Sequence, residues 1–253
     1  LLDVGQGLAT VVQTQRHTLV YDAGPRFSEA FDTGAAVVVP FLRTRGIHSI
    51  DTLVVSHGDN DHIGGVASLL SAYQARRVIS SVPGKLPQVA AEHCRRGQQW
   101  EWDGVVFRVL HPETASGQSG NNTSCVLKID IRNGPGILLT GDIERKAEAG
   151  LLRKQAEALP AAVLVVPHHG SNTSSSREFV AQVEPEIALF PAGYLNRYRF
   201  PKQAVVDRYE SSGTQWFQTG LTGAITVRLG GALQGPEISL YREQTPRYWT
   251  QAR

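Results

Sequence analysis

Methionine is missing from all 253 residues. The chain opens directly on LLDVGQG, so we expect a segment of a longer protein whose targeting and membrane elements lie outside it. Cysteine is nearly missing as well, Cys94 and Cys125 being the only two. Two thiols cannot build a four-thiolate zinc site. They leave open one disulfide or two buried free thiols. No run approaches the roughly 20 apolar residues that span a bilayer, and no signal-peptide pattern is present. A strong excess of one charge is also lacking. The net charge is +2, which does not by itself argue for nucleic acid. What excess exists lies late in the chain. From Pro191 to Arg253, eight basic residues stand against four acidic ones, a local balance of +4, with aromatics interleaved. Such a region can track a phosphate backbone or form a solvated face over core aromatics.

What remains is ordinary for a globular protein: 41% hydrophobic and 19% charged residues, and enough length to bury a substantial core. ATVVQTQRHTLVYDAG reads as two strands joined by a polar turn at Gln15–His17. AAVVVPFLRTRG reads as a helix limited or kinked by Pro40. IDTLVVSH, RRVISSV, AAVLVVPHHGS and EIALFPAG read as strands. HIGGVASLLSAYQ, ERKAEAGLLRKQAEALP, SSSREFVAQVEP and KQAVVDRYESSG read as helices. Hairpins are expected at Asp103-Gly104 and Asn133-Gly134, and TQWFQTG, AITVRLG and EISLYRE as closing strands. Strands dominate each half with helices between, which fits a sheet-on-sheet core with helices outside.

Four strand ends carry ionisable groups directly after apolar runs. Asp22 follows TLVY, and the cluster His57, Asp59, Asp61, His62 follows TLVV. Asp142 follows ILLTG, and His168-His169 follows VLVVP. Side chains at strand ends are held by a rigid scaffold and can converge on one cleft. Alternation along the loop pairs His57 with Asp59, and a turn at Gly64-Gly65 swings Asp61 and His62 toward a neighbouring position. Two pairs of imidazole and carboxylate suit two divalent ions such as Zn²⁺ or Mn²⁺. A polar loop with capping aspartates would explain one or two of the acids, but neither histidine and none of the later pair. Asp22 reads as a partner that orients a ligand histidine from behind. His17, His48, His93 and His111 read as surface or structural histidines.

SHGDNDHIGG, LLTGD and VPHHGS, in this order, resemble the metallo-β-lactamase fold. With LLDVGQGLATVV, LVYDAGP, GNNTSCVLKI and GYLNRYRFP, the chain is similar from Leu1 to about Arg228 to the nuclease-like domain of the ComEC family of bacterial competence channel proteins, which internalise DNA. The resemblance implies an α/β fold of the four-layer αββα type, residues 1–253 forming one domain. It implies two divalent ions, Mn²⁺ or Zn²⁺ with Mg²⁺ as a third candidate, and no small organic cofactor. His57 and Asp59 would hold one ion and Asp61, His62 and His169 the other, with Asp142 bridging. Asp61 and His168 are the expected catalytic residues. Asn121, Asn122, His168, Ser171, Asn196, Arg197, Arg199 and Lys202 are the expected substrate contacts. The chain departs once from the wider fold and once from the family. Asn121-Asn122 stands where relatives of the wider fold supply a histidine, making the first site richer in oxygen and shifting its preference toward Mn²⁺ or Mg²⁺. Phe200 stands where the family carries a histidine before proline.

The implied function is a metal-dependent nuclease degrading the non-transported strand during DNA uptake. Its partners would be DNA, a single strand foremost, and the membrane-channel part of the same parent chain. The resemblance places the domain outside the cytoplasmic membrane, facing periplasm or exterior, where Cys94 and Cys125 would form a disulfide. Two alternatives remain: hydrolysis of another phosphodiester, small or phosphocholine-type, and a catalytically weakened DNA-binding module of the channel.

Overall fold

A computed structural model of the chain describes residues 1–114, 120–132, 134–230 and 235–245. Two sheets carry the architecture. The first has five strands in the order β1 (Thr10–Gln13), β2 (Thr18–Tyr21), β3 (Ile50–Val55), β4 (Ala75–Ser80) and β5 (Glu92–His93). Only the β1–β2 pair is antiparallel. The second sheet has seven strands: β6 (Gln99–Trp102), β7 (Val105–His111), β8 (Val126–Ile131), β9 (Gly136–Leu139), β10 (Val163–Val165), β11 (Ile187–Phe190) and β12 (Gln215–Gln218). It is antiparallel from β6 to β9 and parallel from β9 to β12.

Strand periodicity explains the layering. Along β10, Val163 and Val165 join a core shared with Tyr21, Val54, Ile79, Phe107 and Leu127, drawn from both sheets. The intervening Leu164, with Val166, faces the opposite way onto α4 (Arg145–Gln155), α5 (Arg177–Val183) and α6 (Gln203–Ser211), whose Leu151, Phe179 and Val205 share that second core. A third core packs Val20, Leu53 and Val55 of the first sheet against α1 (Val39–Thr44) and α3 (Val66–Ala72) through Val39, Leu42, Val66 and Leu69. Successive strand residues point to opposite faces, so each sheet is covered on both sides and the order is αββα, the order expected from the sequence.

Three details differ from the sequence reading. HIGGVASLLSAYQ is two helices rather than one, α2 (Asn60–Ile63) and α3, broken at Gly64-Gly65. A Cβ on Gly65 would stand 2.3 Å from the Ala23 carbonyl oxygen and 2.4 Å from Gly34 N, so the chain crosses there at backbone contact and cannot continue straight. AAVVVPFLRTRG begins with a π-helical turn, Gly34–Val38, and Pro40 enters the first turn of α1, where its missing N–H costs nothing. AITVRLG and EISLYRE pair apart from the main sheets as β13 (Ile225–Arg228) and β14 (Glu237–Leu240), with the last residues of EISLYRE turning helical. The hairpin at Asp103-Gly104 joins β6 to β7. Of the hairpin expected at Asn133-Gly134, the flanking β8 and β9 pair antiparallel, and Asn133 lies outside the described residues. Among the described residues no helix is long and apolar enough to cross a membrane.

Candidate metal centre

The ionisable strand ends meet in one place. Val55 of β3 pairs with Ser80 of β4, and β3 runs out at Ser56 into the loop that carries His57 and Asp59. Asp61 and His62 follow on the single turn of α2, for which Asp59 is the residue before the first turn. This is tighter than the extended alternation read from the sequence. It still separates His57 and Asp59 from Asp61 and His62. Asp142 arrives from the end of β9, and His168 and His169 from the end of β10. Both histidines adopt left-handed backbone, with φ of 48° and 55°, a conformation uncommon outside glycine. That bend turns the two imidazoles back over the strand ends.

Hydrogen bonds behind the rings assign their tautomers. Asp22, fully buried with φ of 59°, accepts Ser56 N–H at 2.7 Å, Ser56 Oγ–H at 2.6 Å and His62 Nδ1–H at 2.7 Å. The single Ser56 hydroxyl proton is thereby committed to Asp22. His57 Nδ1, 3.1 Å from Ser56 Oγ, must be the donor in that contact. His169 Nδ1–H donates to the Pro191 carbonyl at 2.8 Å. In the neutral rings all three Nε2 atoms are therefore bare acceptors. They converge: His62 Nε2 is 3.2 Å from His169 Nε2, and the buried His57 Nε2 has no hydrogen-bond partner. Lone pairs so placed repel unless positive charge lies among them.

Carboxylates close the same space. Asp142 Oδ1 is 3.1 Å from His62 Nε2, and Oδ2 is 3.3 Å from His169 Nε2 and 3.9 Å from His57 Nε2. Asp61 Oδ2 is 3.2 Å from His169 Nε2, and Asp59 Oδ2 is 3.6 Å from His57 Nε2. Ligand atoms of Asp61, His62, Asp142 and His169 all lie within 4.8 Å of one another. Burial alone would raise Asp142, but the His169 and His62 rings hold it well below the usual carboxylate range. Burial alone would lower His169, yet Asp142 and Asp61 carry it up to about 9. The pocket therefore demands positive charge, and a divalent ion entering it would displace protons. The donor set, imidazole nitrogens whose opposite N–H is held plus carboxylate oxygens, fits such an ion.

The remaining expected residues divide. His168 lies at the rim, with Nε2 3.9 Å from Asp142 Oδ2 and 3.5 Å from Asn121 Nδ2, and Nδ1 turned to Thr173 Oγ1 at 3.1 Å and Glu144 Oε1 at 3.4 Å. Asn122 is a correction to the sequence reading. Its amide donates to Glu144 Oε2 at 3.0 Å, and its Oδ1 accepts Glu144 N–H and Ala147 N–H, so it caps α4 rather than facing the cleft. Ser171 is buried, its hydroxyl 3.0 Å from Thr173 Oγ1. Asn196 is likewise turned inward, closing its own loop onto Gly193 O and the Phe200 backbone. Lys202 is tied beside the centre, its N–H donating to Gly170 O next to His169, while its Nζ donates to Tyr198 O at 2.7 Å and Arg197 lies over the Tyr198 ring at 4.7 Å. Phe200 packs edge-on to the His168 ring at 5.9 Å, and Tyr198 stacks on Phe200 at 5.5 Å. The structure pairs Cys94 with Cys125 behind the loop, Cα atoms 6.0 Å apart, and Cys125 N–H donates to Ser56 O. Glu144 and Lys85, whose Nζ donates to the Gly58 carbonyl at 2.9 Å, escaped the sequence reading. Glu144 looks like an ordinary first-turn acid, and Lys85 is distant from every motif.

Comparison with known proteins agrees with this geometry. The model of the Metallo-beta-lactamase superfamily matches residues 2–194. "Uncharacterized protein YcaI" of Escherichia coli (strain K12) is 38% identical over 252 residues, 99% of this chain and 32% of that protein. "Competence protein ComA" of Neisseria gonorrhoeae is 36% identical over 252 residues, 95% of this chain and 33% of that protein. The chain thus spans about a third of the length of the curated relatives it matches. Among solved structures, the metallo-beta-lactamase fold protein YhfI from Bacillus subtilis superposes with a TM-score of 0.56 at 10% identity, covering 90% of this chain and 98% of that one.

Proposed function

The chain belongs to the metallo-β-lactamase superfamily, and from the centre it builds we propose that it is a metal-dependent phosphodiesterase acting on DNA. In this reading residues 1–253 are one domain of a longer membrane-channel protein and degrade the non-transported strand during DNA uptake. The observation that carries the chemistry is Asp142, whose Oδ1 lies 3.1 Å from His62 Nε2 and whose Oδ2 lies 3.3 Å from His169 Nε2 and 3.9 Å from His57 Nε2, within reach of all three bare nitrogens. His57, Asp59 and Asp142 would hold one divalent ion, and Asp61, His62, Asp142 and His169 a second, with Mn²⁺ or Zn²⁺ suited to the mixed donors. Ions held there would supply a water of lowered pKa and would neutralise charge developing on the nonbridging oxygens of a phosphodiester.

The chain's own groups supply the rest. With His168 Nδ1–H turned to Glu144 and Thr173, the Nε2 proton of its cationic form points into the cleft, where it can pass to a leaving oxygen. In the neutral ring that nitrogen accepts from Asn121 Nδ2 at 3.5 Å, and the second amide hydrogen is left for a nonbridging oxygen. Ser171 acts indirectly, by fixing Thr173. Arg197, Arg199 and Lys202, none within 4.0 Å of a carboxylate among the described residues, would take neighbouring phosphates, with Tyr198 offering an exposed ring for base stacking.

DNA as substrate is supported by that basic, aromatic rim and by kinship with a protein named for competence. A compartment outside the cytoplasmic membrane is supported by the Cys94–Cys125 pairing, since disulfides persist in oxidising surroundings. The test compares single-stranded DNA, duplex DNA and bis(p-nitrophenyl) phosphate, each with Mn²⁺, Mg²⁺ and Zn²⁺. Metal-dependent cleavage with single-stranded DNA preferred is expected. Turnover of the small diester with no cleavage of DNA would replace this reading by that of a small-phosphodiester hydrolase.

A further inference from the structure

Lys85 belongs to no motif, yet it lies on the metal loop. The β3 and β4 strands run parallel, so the segments leaving their ends are neighbours. One carries His57, Gly58 and Asp59. The other makes a short 3₁₀ turn, Pro83–Lys85. Lys85 extends across from that turn and donates one ammonium hydrogen to the Gly58 carbonyl at 2.9 Å. The contact depends on Gly58 having no side chain. A Cβ there would stand 2.7 Å from Lys85 Nζ, 2.9 Å from Cδ and 3.0 Å from Cε. The lysine stem therefore lies flat over the one residue between two expected ligands.

An ammonium has three hydrogens to donate, and one is used. Among the described residues no carboxylate lies within 4.0 Å of Lys85 Nζ, which is exposed. The lysine thus makes no close ion pair that would account for holding its charge at this spot. The loop after β11 in the second sheet carries Arg197, Arg199 and Lys202, likewise without a close carboxylate among the described residues, and its Lys202 N–H is tied to Gly170 beside His169. Cations therefore flank the centre from both sheets. A single phosphodiester needs only the centre. A polymer with a phosphate at every residue has anions to place on both sides at once, and lysine serves phosphate as a point charge.

We propose that Lys85 binds a backbone phosphate of a polynucleotide strand where it crosses the His57–Asp59 side of the centre, opposite the Arg197–Lys202 bank. The proposal rests on the phosphodiesterase reading above and narrows its substrate to a polymer held on both sides of the reacting bond.

The test measures binding of a fluorescent phosphorothioate oligothymidylate to the Mn²⁺-loaded protein across a range of salt, with metal content measured alongside. Lys85→Met keeps the stem and removes the charge. Gly58→Ala keeps the charge and displaces it, since what its Cβ meets is the far end of a flexible side chain. Both variants are expected to bind more weakly and to flatten the salt slope by about 0.7, the value of one phosphate contact on a single strand. Lys85→Arg is expected to keep the wild-type slope. An unchanged slope in Lys85→Met overturns the proposal. So does a fall in metal content with the slope retained, which would make Lys85 a support for the loop and nothing more. If the wild-type protein fails to bind the strand at all, the phosphodiesterase reading on DNA is lost first, an outcome distinct from wild-type binding that Lys85→Met leaves untouched.

Discussion

Asp22 shows how much of the centre rests on one residue outside the candidate ligand set. It accepts three hydrogen bonds, one of which fixes the His62 tautomer. Replacing it with Asn preserves shape and tolerates the φ of 59°. If the amide oxygen keeps Ser56 N–H, the amide nitrogen must face His62 Nδ1. That nitrogen then has to accept, which moves the ring proton to Nε2 and removes a ligand lone pair. Asp22→Asn is expected to weaken metal binding about 10- to 100-fold at nearly unchanged stability, read by competition with a chromophoric chelator. This residue was legible in the sequence, because an acid closing a buried strand beside a histidine-rich loop has few other uses. Glu144 was not. Nothing local marks the acid that will face His168, since the contact depends on the left-handed turn at His168-His169, and consecutive left-handed non-glycine residues have no sequence signature.

At the level of elements, the strands and helices could be read from periodicity, whereas what caps and breaks them could not. Glu144 precedes the first turn of α4 but does not cap it with its own side chain. Asn122 does so from a different segment, through the N–H groups of Glu144 and Ala147. A cap supplied across 22 residues of chain is invisible to local pattern, which is why Asn122 looked like a cleft residue. Asn122→Ala is expected to cost about 1 kcal/mol of stability, measured as a lower urea midpoint, with metal content unaffected. A loss of substrate affinity without loss of stability would return Asn122 to the cleft. The break between α2 and α3 has a similar origin. Gly64-Gly65 was read as a tight turn, but the reason for it is the passage of Ala23 and Gly34 at backbone distance, a tertiary fact.

Across the whole molecule, the two sheets meet in one core, and the cleft lies where their strand ends adjoin. Cys94 and Cys125, one from each side of that junction, are 31 residues apart in sequence. If they are oxidised to a disulfide, replacing both by Ser is expected to lower stability by about 3–4 kcal/mol, the loop-closure entropy of a link of that length. No effect under oxidising conditions would mean that the thiols are free. The sheet-on-sheet core with outer helices was legible because strands dominate each half with helices between, and runs such as VLVV are apolar throughout, as strands covered on both faces are; the four-layer order itself came with the family resemblance. We propose that Asp142 joins two metal positions into one phosphodiester-cleaving centre, and the decisive measurement strips the protein with chelator, titrates Mn²⁺ back, and follows cleavage of single-stranded DNA against bound metal. Activity is expected to rise with the metal and level off at two equivalents per chain, and Asp142→Ala to stay inactive throughout. Two bound equivalents with no cleavage of DNA, or undiminished cleavage in Asp142→Ala, would contradict it.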